Sequence, residues 1–462
     1  MVEQDSSMRP QGGDPTSRRS NWQDRLARLG DHLAWNRLYR SLSYLRSALW
    51  VAPIVAVLLA LLFFRLLHVL ERWFPWNLTG LDVTGAQAMF QTIITLTLTF
   101  IVFTFGSLLV AIQVASGQLT PRIIATTLLG DRVIKYSVGL VVFTMVFAIR
   151  GLNRTVGSVD QMATTVGGLL GIASLASFLF LIDYTARLLR PVRMVAVVCD
   201  QGMEVVREVY PNDEPDTRRE YAPAASAARG EHVRIVNHEG RSLSVLAVEV
   251  EKLVAEALRT DGVIDFAPQV GDFVAADEPL FRLYGGAAQC DDDMLRQTVA
   301  FGPERTMEQD PMFAFRILVD IALKALSPAI NDPTTAVLAM DQVHRLLRFV
   351  GKRELHGEVV QDAGGRPRLI LRTPNWEDFV HISCNEIRAC GASNMQIARR
   401  MRAMLENLVR TLPESRHAAL RQQLDLLDRT LPAHYPLPED LALARVADSQ
   451  GLGGASGSNR TG

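Results

Sequence analysis

The rhythm of hydrophobic and polar positions changes near Arg190. Before it, apolar residues run in long blocks; after it, they recur at helical or strand spacing between charged residues. A bilayer hydrocarbon core about 30 Å thick needs about 20 apolar helical residues to cross it. Ala48–Leu70, Ala88–Ala115, Val133–Leu152 and Gln161–Ile182 each meet that length. From Val83 to Pro121 no side chain is ionisable, and Lys135 and Arg150 lie near the ends of the third block, where long side chains can snorkel. Four such blocks in succession predict transmembrane helices rather than a buried soluble core. The first is not a secretory signal, because its polar leader is too long and no A-x-A cleavage pattern follows it.

Charge in the short flanks orients the spans. The N-terminal segment carries Arg18, Arg19, Arg25, Arg28, Arg37, Arg40 and Arg46; the next flank has only Arg72. Arg122, Arg132 and Lys135 follow span two, Arg154 follows span three, and Arg187, Arg190 and Arg193 follow span four. Rich and poor flanks alternate, which predicts that both termini are cytoplasmic. Trp50, Trp73, Trp76, Tyr136 and Tyr184 fall at the expected interfaces.

Within span two, Thr92, Thr99, Gly106 and Gln113 recur every seven residues and share one helix face, with Thr95 three residues from Thr92. This stripe has two readings: close helix packing, since small and hydroxyl residues let backbones approach, or the water-facing wall of a pore built from several copies. Gly167, Gly171 and Ser174 in span four form a small-xxx-small row that predicts packing. Asp183 and Arg187 are spaced to pair. No carboxylate lies deep in a span, which argues against a proton- or cation-coupled carrier more than against a passive channel.

The polar half reads as several pieces. A helix over 191–210 is followed by a Pro- and Ala-rich linker to residue 230. A small β-rich unit covers 231–285, with strands at Val233–Val236 and Ser242–Leu246 and a short helix over Val248–Leu258. Gly262 to Val274, with its Gly271-Asp272 turn, and Pro279-Leu-Phe281 complete a strand–turn–strand pattern. It resembles half of a lipoyl- or biotinyl-type barrel sandwich, without a lysine at the modified position. A mainly helical region is expected over 286–447, with a hairpin around Ala363-Gly364-Gly365 and three helices from Trp376 to Leu431. The stretches 1–47 and 448–462 read as a basic, partly disordered tail and a disordered Gly/Ser tail. The expected fold class is thus an α-helical membrane protein: four transmembrane helices, then an α+β cytoplasmic domain with a small barrel-sandwich-like β unit and a helical bundle.

Two helix starts stand out. Asp310 before Pro311 and Asp332 before Pro333 each place an N-cap ahead of a proline at the first helical position. The intervening helix is apolar nearly all round and should be buried. Arg316, Asp320 and Lys324 step along one face. Glu304, Arg305, Asp310, Arg316, Asp320, Asn331 and Asp332 are candidates for a polar knot fixing how the two helices meet. Asp310, Asp320, Asn331 and Asp332 could also hold a hard cation, but their spacing matches caps better than an ion loop. Glu304-Arg-Thr306, Gln309-Asp-Pro311, the run from Asp320 through Ser327-Pro-Ala-Ile-Asn-Asp332-Pro333 to Ala336, Gly271-Asp-Phe-Val274 and the Thr120-Pro-Arg122 turn resemble a bacterial predicted-membrane-protein family catalogued as a domain of unknown function. That resemblance implies a bacterial inner-membrane location and no particular activity.

The 462 residues balance to a net charge of −1, so nothing in the bulk suggests nucleic acid. The four cysteines form no CxxC pair, and His381, Cys384 and Cys390 lack the further ligands a zinc site needs. Walker A, Gly-x-Ser-x-Gly and His-Glu-x-x-His motifs are absent, and no cofactor is expected. Two functional expectations result. One is a homo-oligomeric passive channel with span two, through Thr92, Thr95, Thr99, Gly106 and Gln113, lining the pore. The other is a membrane-anchored sensing or interaction module whose cytoplasmic domain binds a partner or metabolite. Membrane lipid and further copies of the chain are the expected partners.

Overall fold

The structure, a computed structural model, describes residues 35–36, 39, 48, 50–73, 80–118, 131–155, 159–188, 190–213, 233–355 and 359–453. The Thr120-Pro-Arg122 turn, residues 214–230 of the linker and the last residues of the Gly/Ser tail lie outside them. Among the described residues, four helices are long and apolar enough to cross a membrane: α1 (Val51–Trp73), α2 (Val83–Gln118), α3 (Arg132–Arg154) and α4 (Gln161–Leu188). α3 is the hub, touching the other three. Asp131 caps it, accepting from the backbone N–H groups of Val133 and Ile134 at 2.8 and 3.2 Å. Gln87 and Gln161 donate to the carbonyls of Thr155 and Leu81 and tie the opposite helix ends together.

Helices in lipid gain little from burying apolar surface against one another, so close packing must hold them. Here Phe90 of α2 is wedged between glycines of two neighbours. A Cβ added to Gly151 of α3 would stand 2.5 Å from the ring, and one on Gly167 of α4 2.7 Å from it. Gly171 meets Ile93 in the same way. Ser174 donates to the Thr144 hydroxyl at 2.8 Å, a buried polar contact between α4 and α3. The small row of span four is therefore packed, as its spacing predicts. Phe64, Leu67, Phe90, Ile93 and Phe147 fill the bundle.

Span four does not run on into the next helix. Arg190 is extended, and α5 (Pro191–Val209) restarts with Pro191 at its first position, because a proline disfavours helical backbone in the residue before it. α5 packs on α8 (Pro311–Ala325) and α9 (Pro333–Val350), and α8 also packs on α10 (Trp376–Gly391). Phe315, Ile317, Leu318, Val319, Ile321 and Ala322 of α8 are all inaccessible, so this helix is the core its all-round apolarity predicts. Gly202 of α5 lets the backbone approach Ala314 of α8. α11 (Met395–Thr411), α12 (His417–Thr430) and the short α13 (Pro438–Ala444) complete the helical part.

The β unit is discontinuous. Its five-stranded sheet runs β1 (Arg234–Asn237), β5 (Pro279–Gly285), β3 (Gly262–Gln269), β8 (Pro367–Arg372), β7 (Val359–Gln361); a second sheet runs β4 (Phe273–Val274), β2 (Leu243–Val248), β6 (Val299–Gly302). α6 (Val250–Arg259) follows β2, and α7 (Asp292–Gln297) precedes β6. The expected end at 285 is thus too early, because β6 pairs with β2. The hairpin expected to go with the helices instead joins this sheet through β8 and β3. Trp35 and Tyr39 of the N-terminal segment stack at 5.1 Å and pack on Leu246, Ala247 and Ala300.

The C-terminal tail is also shorter than its composition suggests. Asp448 is 2% exposed and accepts from the N–H groups of Gln450, Gly451 and Gly453 at 3.0, 3.0 and 2.8 Å. The fully buried Arg399 of α11 donates to the carbonyls of Val446 and Gly453 at 3.0 and 3.1 Å, and Gln396 donates to Gly451 O at 2.6 Å. Gly451 and Gly453 both have positive φ, so here the glycines shape a bound strap rather than free chain.

Unfolding in detergent by SDS titration is expected to separate three variants. Phe90→Ala loses about 3–5 kcal/mol and Gly151→Ala about 1–3 kcal/mol. Gly106→Ala, with nothing within 4 Å of the added carbon, does not lose stability. A Gly151→Ala protein as stable as the parent would show that the ring is not wedged.

Candidate functional site

α2 has two unlike faces. At about 100° per residue, Phe90, Thr97 and Leu108, which are buried, lie roughly opposite Thr92, Thr99, Gly106 and Gln113, which are exposed, as is Thr95. The stripe therefore points away from its own bundle. Among the described residues nothing lies within 4 Å of a Cβ at Gly106, so the stripe makes no close contact with the described helices of its own chain. The Thr92, Thr95 and Thr99 hydroxyls donate to the carbonyls of Ala88, Gln91 and Thr95 at 2.8, 3.0 and 2.8 Å. Their donors are satisfied by the helix itself, while the oxygen atoms keep acceptor capacity facing outward. Val102 and Val110, 66% and 59% exposed, interrupt the polar stripe in its second half.

Sequence reading missed a polar cluster at the helix ends farthest from α5. Arg154 donates to His68 Nε2 at 2.9 Å, and His68 Nδ1 lies 3.3 Å from the Asp160 carboxylate. With Nε2 accepting, the proton sits on Nδ1, and the imidazole bridges α1, α3 and the start of α4. No spacing rule could have found residues 68, 154 and 160 together, since each belongs to a different helix end.

The seven polar-knot candidates fall into separate contacts. Asp310 caps α8, accepting from Phe313 N–H at 3.2 Å and from Arg305 Nε at 2.8 Å. Burial pushes the Asp310 carboxyl above its usual range, with Arg305 opposing the shift. Arg316 reaches Asp320 at 2.7 Å and Glu386 of α10 through two bonds of 2.6 and 2.9 Å. Hydrogen bonding to Arg316 holds the Glu386 carboxyl below its usual range. Glu386, 70 residues away in sequence, is the member the sequence did not reveal. Asp332 caps α9 through Thr335 N–H at 3.0 Å and its hydroxyl at 2.6 Å, and Asn331 takes a positive φ of 48° in the turn before it. Glu304 is exposed. Two caps, the Arg305–Asp310 pair, the turn at Asn331 and one interhelical ion pair thus account for all of them but Glu304. Among the described residues, no group of three or more His, Cys, Asp or Glu could hold a metal ion. Cys384 is fully buried and its thiol is pushed up to about 12 by burial, while His381 is exposed. An inert core thiol fits that environment.

The sequence matches the family described as Predicted membrane protein (DUF2254) over residues 46–407. It is 25% identical over 427 residues to the uncharacterized protein Rv1290c of Mycobacterium tuberculosis, covering 88% of this chain and 81% of that one. The uncharacterized protein Mb1321c of Mycobacterium bovis gives the same identity and coverage. No solved structure matches.

The two shifted carboxyls predict opposite pH dependences. Asp310, raised in the folded state, favours folding at low pH and loses that contribution as pH climbs from about 3.9 through its raised value. Glu386, lowered, stabilises above about 4.3 and loses its contribution on acidification through its lowered value. In thermal melts of the detergent-solubilised protein, Glu386→Gln should fall below the parent at pH 7 and converge with it in acid. The midpoint of Asp310→Asn minus that of the parent should instead rise with pH. Parallel curves for all three proteins would refute the assignment.

Proposed function

The chain belongs to the family of predicted membrane proteins (DUF2254), and on that premise we propose that it is the subunit of a homo-oligomeric passive channel in a bacterial inner membrane. In this reading α2 lines the pore, and both termini and the β and helical units are cytoplasmic, as the alternation of Arg and Lys in the flanks supports.

One observation carries the proposal: the hydroxyl and small residues of the longest apolar helix face out of a bundle whose own interior is filled. Phe64, Phe90, Ile93 and Phe147 pack together between the described helices. In this reading the water path lies between copies, on the face where Thr92, Thr95 and Thr99 offer acceptor oxygens. Val102 and Val110 would form an apolar collar beyond them, of the kind that gates by dewetting. No deep carboxylate is present to couple transport to an ion gradient.

The anchored-module reading draws on a different observation. The β unit exposes Val233 and Phe273, each 66% accessible, and Ile235 on the edge strand β1. Such residues suit a protein partner that adds to the sheet.

Planar-bilayer recordings of the purified full-length protein separate the two. Discrete conductance is expected, abolished by Thr99→Trp and kept by Leu62→Trp on the exposed side of α1. Thr99→Cys should also cross-link between copies. Silence at every voltage, tension and salt, with Thr99→Cys remaining monomeric, would reject the channel and turn attention to the edge of β1.

A further inference from the structure

Between α2, α3 and α4, at the end of the bundle nearest α5, lies a groove of about 230 Å³. Leu108, Ile134 and Leu181 form its buried floor, and Phe103 and Ile182, 53% and 43% exposed, form its lips. Towards the middle of the bundle it is closed by Phe178, which stacks on Phe100 with ring centroids 4.2 Å apart and meets Phe103 edge-on at 5.6 Å. Ser107, in its wall, turns its hydroxyl to the Thr104 carbonyl at 3.0 Å, so its donor is spent on the helix. Thr104 and Thr185 add two more hydroxyls to a lining that is otherwise apolar, so the walls favour an apolar occupant.

Size narrows the choice. From Phe178 to Ala186 the groove follows α4 for about 12 Å, which fits within one leaflet of a core about 30 Å thick. The volume falls short of the ~300 Å³ of compact ligand pockets. A slender chain fits. Charge then names what the chain is attached to. The groove ends where Arg132 opens α3, two residues before Ile134, and where Arg187, Arg190 and Arg193 follow Ala186. With Lys135 these are five positive residues against Asp131 and Asp183, an excess of three. Asp183 is committed to Arg187, and Asp131 to its cap and the Tyr184 hydroxyl. Arg132 and Arg190 are exposed.

We propose that this groove seats one acyl chain of an anionic phospholipid, with its phosphate against the basic residues at that end. The site depends on membrane placement alone and holds whether or not the protein conducts. A lipid so held would stand between α2 and α4 and fix the position of α2, and the basic rim would favour an anionic over a zwitterionic headgroup.

Native mass spectrometry of the full-length protein in detergent tests this, with phosphatidylglycerol or phosphatidylcholine of identical chains added. One phosphatidylglycerol per chain is expected, at least five-fold better retained than phosphatidylcholine. Ser107→Trp, which fills the groove, should reduce retention of both at least five-fold. Arg132→Gln with Arg190→Gln, both exposed and not part of the packed floor, should erase the headgroup preference while leaving phosphatidylcholine binding unchanged. Equal retention of the two lipids by the parent, or a preference that survives the double arginine variant, overturns the proposal. So does unchanged retention in a folded Ser107→Trp protein. If Ser107→Trp does not fold, the arginine variant decides alone.

Discussion

The rotational setting of α2 rests on one aromatic ring. Lipid tails are as apolar as leucine, so shape complementarity rather than hydrophobicity decides which face of a span turns inward. Phe90, held between Gly151 and Gly167 and backed by Phe147, leaves α2 a single way to face its neighbours. That setting sends Ile93, Thr97 and Leu108 inward and Thr92, Thr99, Gly106 and Gln113 outward. It also sets Phe103 beside α4 and so shapes the groove at the bundle's end.

The helical part obeys a different solvent. There α8 is buried over most of its surface, and water supplies the driving force that lipid cannot. Its charged residues are confined to the ends and to the side that meets α10. Asp310 spends its carboxylate on the first turn and on Arg305, and Arg316 spans to Glu386. The bidentate geometry of that pair orients α10 more than it stabilises it, because Glu386 is half exposed. The long, unusual motif around Ser327 and Asp332 is accounted for by a tight turn and a cap, with Asn331 supplying the left-handed residue.

Much of this was legible in the chain. Span lengths, the capping aspartates before Pro311 and Pro333, the buried α8 and the small row of α4 follow from periodicity and local chemistry. Glu386 was invisible because its partner is distant in sequence, and His68 because its neighbours sit on other helix ends. The outward setting of the Thr92 stripe was undecidable for a related reason. Heptad spacing says which residues share a face but not where that face points; only Phe90 and two distant glycines decide it. The tail from Asp448 misled because glycine-rich composition reads as freedom, whereas a buried carboxylate had enlisted three backbone N–H groups.

That strap has a consequence for how this part of the fold opens. Arg399 is fully buried, and the carbonyls of Val446 and Gly453 accept from it. Lifting residues 446–453 off α11 would strip those acceptors from a buried guanidinium, at the desolvation cost of a charge in a dry core. The strap therefore does not fray residue by residue; it is held or released as one piece with the core around α11.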